Sequence, residues 1–550
     1  MLAPVPADVV QESSAQGEPS FTTRVRAPDG VELATDVYLP ARSAPGGAPA
    51  VLMRTPYGRG GEIDAVADTA RLLGECGIAV VGQDVRGKFD SGGERQPFLH
   101  EVADGHATAE WISGQPWSNG AVVPLGASYT GFAAWAVAAS GHPAVRGAVV
   151  RMTTCHIPDE WLYRQGLFRL QMNAPWALFA WSGPELNEGE PDWAVRPLSA
   201  ALPDPAAGEH LRHWLANPPE SPWWDRHGLG SASPLSGRVR VPVLHWGGWW
   251  DLLSRGQIRE WDVLGRAGAP DQRLVMGATD HDFHPFVDVM AGVTRPAGAR
   301  RAPVEAELAP AMDFLTAVCA GGRPGNGAVR FELTHAGWRE DAGWPPAGCH
   351  PVRLYLADGA HAGYGPEGGS LTHHPDGVPA TVRWSQDPAD LVPSLETFVW
   401  GTLANDYPDE RDAQVRDDVV TFTGQPATEP LDVVGPLRLR LAVQASSGRA
   451  QLAATVCDVM PDGRALRIAE GGCLVRDARE RQTVDVDLGP AAYRLREGHR
   501  LRVAVAASSF PRYLWYPGDG LDPWTALNGP PVERSLELGD ASHLEVRVLD

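Results

Sequence analysis

AVVPLGASYTGFAAWAVAAS, residues 121–140, carries the reading of the fold. Its first five residues form a short apolar run suited to a buried strand, and the small apolar residues after Gly131 suit a buried helix. Between them lies GASYTG, residues 126–131. We read it as a sharp strand-to-helix turn of the G-x-S-x-G kind, which lifts a serine above the sheet edge. Its glycines, Gly126 and Gly131, let the turn pack without clashing side chains. Ser128 is thereby a candidate nucleophile. The bland alternative is a structural serine in a glycine-rich turn, and the strand before and helix after weigh against it.

Working outward, strands and helices alternate. FTTRVRAPDGVELATDVYLP (21–40) reads as a hairpin about a Pro-Asp-Gly turn. APAVLMRTPY (48–57) and GIAVVGQDVRG (77–87) read as buried strands, with the helical AVADTARLLGEC (65–76) between them. DGHATAEWISGQP (104–116) reads as a helix. After an interruption, VPVLHWGGWWD (241–251) and QRLVMGAT (272–279) resume the strands. This rhythm predicts an α/β fold of the α/β-hydrolase type, a mostly parallel sheet with helices on both faces. Residues 152–235, rich in Trp and Pro, break the rhythm and read as an inserted helical cap. From 329 onward the segments are short, alternating and turn-punctuated, which predicts a jelly-roll β-sandwich. The expected organisation is a disordered leader (1–20), a hydrolase domain in two parts (21–151 and 236–328) around the cap, and a sandwich domain (329–550).

A serine nucleophile needs a base, and the base an orienting acid. In this fold the chain order is Ser, acid, His. Asp251 closes a strand-like run, where such sheets place chemistry, and leads Asp262, Asp280 and Asp282 as the acid. The loop ATDHDFHP (278–285) offers His281 and His284. His281 is preferred because it lies nearer the strand end.

The 550 residues carry a formal net charge of −21. That argues against nucleic acid and against an anionic membrane surface as partners. The six cysteines lack metal-ligand spacing. His281, Asp282 and His284 are too crowded on one short loop to form a metal set. The glycine-rich GQDVRGKFDSGG (82–93) lacks a phosphate-loop signature, and Asp84 and Arg86 within it read as an ion pair supporting the site. No cofactor, metal ligand set, signal peptide or membrane span is read, so the expectation is a cytoplasmic enzyme acting on a small ester or amide. Nothing in the sequence excludes a homodimer.

Further motifs follow one another in a familiar order: DGVELATDVYLP, RTPYGR, GQDVRGKFDSGG, EVADGHATAEWISGQPWSNG, GASYTGF, HWGGWWDLLSRGQ, then PLDVVGPLRLRL, VCDVMPDGRA and GHRLRVAVAASSFPR. Together they resemble the cocaine esterase and X-Pro dipeptidyl-peptidase family, which includes α-amino-acid ester hydrolases. The resemblance implies a serine hydrolase cleaving an ester or amide bond through an acyl-enzyme on Ser128, His281 and Asp251. It further implies that the Tyr57 hydroxyl and the Tyr129 backbone N–H form an oxyanion hole. Trp161, Trp176 and Trp181 cluster in the inserted segment. Trp161 and Trp181 fall near the family's acyl-pocket aromatics, and with Leu253 they would form an apolar wall for the acyl group. The alternative is that these tryptophans are the cap's own core. One departure is GATDH (277–281), where Ala278 and Thr279 replace the family's Pro-Trp before the histidine. An acyltransferase using the same triad and an X-Pro dipeptidyl-peptidase remain the alternatives.

Overall fold

The computed structural model describes residues 17–550 apart from 188, 232–233, 270, 284–285, 287–303, 325–328, 364–366, 376, 378–379 and 396–407. The first sheet has ten strands among the described residues: β1 (Phe21–Arg26), β2 (Glu32–Tyr38), β3 (Ala48–Thr55), β4 (Ala79–Asp84), β5 (Ser118–Ala127), β6 (Ala148–Arg151), β7 (Val243–Gly248), β8 (Arg273–Gly277), β9 (Val329–Leu333) and β10 (Gly337–Asp341). Their order is β1-β2-β4-β3-β5-β6-β7-β8-β9-β10. From β4 to β9 every pairing is parallel, and the first and last strands add antiparallel edges. The near-continuous burial of β3 to β8 is what a parallel sheet covered on both faces requires.

The covering helices include α1 (Val66–Glu75), α2 (Glu101–Ser113), α3 (Ser128–Ala139), α4 (Ser254–Arg266) and α5 (Val304–Cys319). Helix α3 is buried at every residue from Tyr129 to Ala139, so its small side chains let it pack closely on the sheet. Between β6 and β7 lies the insertion read as a cap, with helical segments at Ile157–Leu162, Leu170–Trp176, Ala177–Trp181, Pro205–Ala216 and Pro222–Arg226. Its core is aromatic: Trp161, Trp176, Trp181 and Trp224 are fully buried. A tryptophan hides roughly 150–250 Å². At about 25 cal/mol per Å² each therefore contributes roughly 4–6 kcal/mol of gross burial energy.

The boundary expected at 328/329 falls just before β9. Strands β9 and β10 extend the first sheet, because Val329–Phe331 pair in parallel with Leu274–Met276. Short alternating strands alone do not say which sheet they join. The eleven described strands from Cys349–Ala357 to His543–Leu549 form the C-terminal β-sandwich of jelly-roll type around its own core. The expected leader falls almost wholly outside the described residues. Among the described residues no helix is long and apolar enough to cross a membrane.

Candidate active site

Strand β5 runs in extended backbone to Ala127, and Ser128 turns abruptly to φ 55 as the first residue of α3. A non-glycine residue in the left-handed region costs on the order of 1–3 kcal/mol, so the surroundings must enforce it. They do. A Cβ on Gly126 would lie 2.3 Å from the Thr130 carbonyl carbon, and one on Gly131 2.8 Å from the Thr153 side chain. The Thr153 hydroxyl also donates to the Ser128 carbonyl at 2.6 Å. The turn departs from strict G-x-S-x-G by one residue: Thr130 occupies the second glycine's place and Gly131 follows it.

Asp251 and His281 reach this serine from the loops after β7 and β8. His281 Nδ1 lies 2.5 Å from Asp251 Oδ1, and its Nε2 lies 3.1 Å from Ser128 Oγ. Burial pulls the imidazole pKa down. The charge and hydrogen bond of Asp251 outweigh it, aided by Asp282 and Asp280, and hold the pKa above the ordinary value of 6.5. The rival acids have other places: Asp262 is exposed on α4, and Asp280 accepts from the Asp282 amide at 2.9 Å. His284 lies outside the described residues.

The two loops are braced together. Trp250 stacks on Phe286 with centroids 3.9 Å apart and planes 2° from parallel. The Trp250 indole donates to the Arg467 carbonyl in the sandwich at 3.1 Å. From the cap, Arg169 donates to the carbonyl of Leu252, next to the acid, at 2.7 Å. The substitution of Ala278 for proline has a structural counterpart, since its amide donates to Glu332 Oε2 at 2.9 Å and a proline has no N–H to give.

Tyr57 is buried beside the serine. Its oxygen accepts from Trp176 Nε1 at 3.2 Å. Burial, followed by the charge of Asp64, pushes the phenol pKa well up, against hydrogen bonds with Trp176 and Ser128. Tyr57 thus stays protonated and able to donate. Tyr129 lies in the first turn of α3, where a backbone N–H has no intrahelical partner. Its own side chain is a structural group, donating to Glu101 and accepting from the Phe98 amide, both at 2.9 Å.

Trp161, Trp181 and Leu253, expected to form an acyl wall, lie buried in this structure. Their exposures are 0%, 1% and 1%, and both indoles pack against the Tyr129 ring. The expected Asp84–Arg86 pair is likewise replaced. Asp84 pairs with Arg59, while Arg86 pairs with Asp29 and Asp104. Neighbours in sequence within a turn point apart, so each finds a more distant partner. Three contributors escaped the reading of the chain: Trp176 as partner of Tyr57, Glu332 behind the base loop, and Lys88. The Lys88 ammonium donates to the carbonyls of Ala180, Gly183 and Glu185 at 2.5, 2.8 and 3.2 Å, tying down the segment that carries Trp181. Its being the sole lysine was the one signal available. No group of three His, Cys, Asp or Glu able to hold a metal occurs among the described residues.

A parallel sheet topped by a helical insertion, with a strained serine beside a histidine and an aspartate, defines the chain as a serine hydrolase of the α/β-hydrolase fold. Comparison with known proteins narrows this. Residues 29–282 match the X-Pro dipeptidyl-peptidase (S15 family) model, and residues 324–528 match the X-Pro dipeptidyl-peptidase C-terminal non-catalytic domain. Together these span most of the chain, which carries both domains of that family. Cocaine esterase of Rhodococcus sp. (strain MB1 Bresler) is 28% identical over 547 residues, covering 90% of this chain and 92% of the relative. Two solved structures share the fold. An α-amino acid ester hydrolase has a TM-score of 0.75 at 22% identity, over 96% of each chain. An aminopeptidase from a marine sediment Thaumarchaeota archaeon has a TM-score of 0.75 at 20% identity, over 100% and 99%.

Proposed function

We propose that this chain hydrolyses carboxylic esters of small molecules by two-step acyl transfer on Ser128. His281 Nε2 takes the hydroxyl proton as Ser128 Oγ attacks the ester carbonyl carbon. Asp251 holds the imidazole in the tautomer that leaves Nε2 free to accept, and stabilises the imidazolium that forms. The Tyr57 hydroxyl and the Tyr129 amide donate to the oxygen that becomes negative. The imidazolium returns its proton to the leaving alkoxide as the tetrahedral intermediate collapses to the acyl-enzyme. Water, deprotonated by His281, then attacks the same carbon and releases the acid and free Ser128.

The observation that carries this reading is the continuous contact from Asp251 through His281 to a serine held at φ 55. Tyr57 adds to it. An indole N–H is only a donor, so the phenol oxygen accepts from Trp176 and its own proton is free for the serine side. Ester over amide follows the cocaine esterase relative, which matches nearly end to end. The test is fluorophosphonate labelling beside an acyl and leaving-group screen, each run on wild type and Ser128→Ala. Labelling confined to wild type and turnover of aryl esters are expected. Release of a dipeptide from X-Pro anilides at a comparable rate would move the reading to dipeptidyl-peptidase. Acyl capture by an added alcohol in preference to water would move it to acyltransferase.

A further inference from the structure

We propose that Asp64 is a positioning residue that locks the two oxyanion donors to one another. This rests on the acyl-transfer reading and goes one layer behind it. The donors come from separate parts of the chain: Tyr57 lies just past β3, and Tyr129 lies in the elbow. Asp64, on the loop between β3 and α1, meets both. Its Oδ2 accepts the hydroxyl of Thr55, and the same oxygen accepts the hydroxyl of Thr130 at 2.9 Å. Thr55 in turn uses Oγ1 to accept the Tyr57 amide at 2.9 Å. Thr130 is the residue next to Tyr129. One carboxylate oxygen therefore ties the residue that offers the phenol to the residue that offers the amide. Thr55 and Thr130 are fully buried and Asp64 is 8% exposed, so water competes little for these bonds.

This gives a purpose to the departure at the elbow. A glycine at position 130 would have no hydroxyl to offer Asp64. An oxyanion hole acts by holding its donors in place before charge develops, so a small splay between them is costly. The role is geometric. A negative charge near the hole repels an oxyanion, so the carboxylate's charge by itself works against the reaction. Geometry and charge are therefore separable by an isosteric amide, which keeps an acceptor oxygen.

The test uses Thr130→Val, Asp64→Ala and Asp64→Asn, each alone and combined with Tyr57→Phe, with kcat and KM measured on an aryl ester and folding checked by circular dichroism. Thr130→Val and Asp64→Ala should lower kcat on the order of 10- to 100-fold while moving KM by less than about threefold. Asp64→Asn should recover most of the rate lost by Asp64→Ala. Combined with Tyr57→Phe, each loss should fall well short of the product of the single losses, because one of the two donors being aligned has gone. Folded Thr130→Val at wild-type kcat, or losses that multiply in full with Tyr57→Phe, would overturn the proposal. If Asp64→Ala does not fold, Thr130→Val decides, since it removes only a hydroxyl. Full activity in Ser128→Ala would instead bring down the acyl-transfer reading itself.

Discussion

Replacing Tyr57 by phenylalanine removes a single oxygen that has work on two sides. Toward Ser128 the acyl-transfer proposal makes it a donor to the oxyanion in a buried site. Deleting one such donor costs about 2.7–4 kcal/mol of transition-state stabilisation, a 10²- to 10³-fold fall in kcat. Toward the cap it accepts from Trp176 Nε1 at 3.2 Å, and Trp176 is only 1% exposed. Phenylalanine leaves that N–H buried without an acceptor, at a cost of about 1–3 kcal/mol in stability. The variant should thus be slow and should also melt earlier than wild type. Aryl ester kinetics and thermal denaturation, read on the same preparations, measure both. A folded Tyr57→Phe enzyme with wild-type kcat refutes the oxyanion role. An unchanged melting temperature refutes the account of the indole.

Ser128→Ala should lose 10⁴- to 10⁶-fold in kcat and all fluorophosphonate labelling while keeping its circular dichroism spectrum. Activity within tenfold of wild type would mean another nucleophile. The raised pKa of His281 extends the protonated, non-accepting imidazole to higher pH. The acid limb of kcat/KM should therefore be centred above the ordinary histidine value of 6.5, and a midpoint below it contradicts the Asp251 pairing. Trp161→Ala opens a cavity in a fully buried aromatic cluster and should cost about 3–5 kcal/mol of stability, with equal proportional losses on acetyl and benzoyl esters. A loss confined to KM for benzoyl esters, without earlier melting, would instead make Trp161 part of an acyl wall.

What was legible in the chain was whatever local pattern encodes. A strand running into a small-residue helix through GASYTG located Ser128, and strand ends located Asp251 and the His281 loop, because chemistry in such sheets gathers at one edge. The switch to short alternating strands announced the sandwich. Illegible was every pairing between distant segments. Periodicity says which face of an element is buried, not which element covers it. The Trp176–Tyr57 bond spans 119 positions and the Thr130–Asp64 bond 66, and no local feature of Asp64 distinguishes it from other loop acids. The same limit hid which sheet β9 and β10 join and put Asp84 with the wrong arginine. Trp161 and Trp181 were expected to face substrate because they cluster in the segment that interrupts the sheet, and fall near the family's pocket aromatics. Their burial against Tyr129 and Trp176 depends on how the cap settles as a whole.

Lys88 is the sole lysine of the chain, and it is fully buried with its three N–H bonds directed at backbone carbonyls. Reagents that seek side-chain amines consequently meet none on the folded surface, and one as soon as the loop that holds Lys88 lets go of the cap. Acylation of Lys88 becomes a clock for that opening, read by the mass of the peptide that carries it, which sets it apart from the α-amino group, without any engineered label. Crosslinkers, amine-coupled supports and ubiquitin-type tags are denied a lysine foothold on the native protein for the same reason.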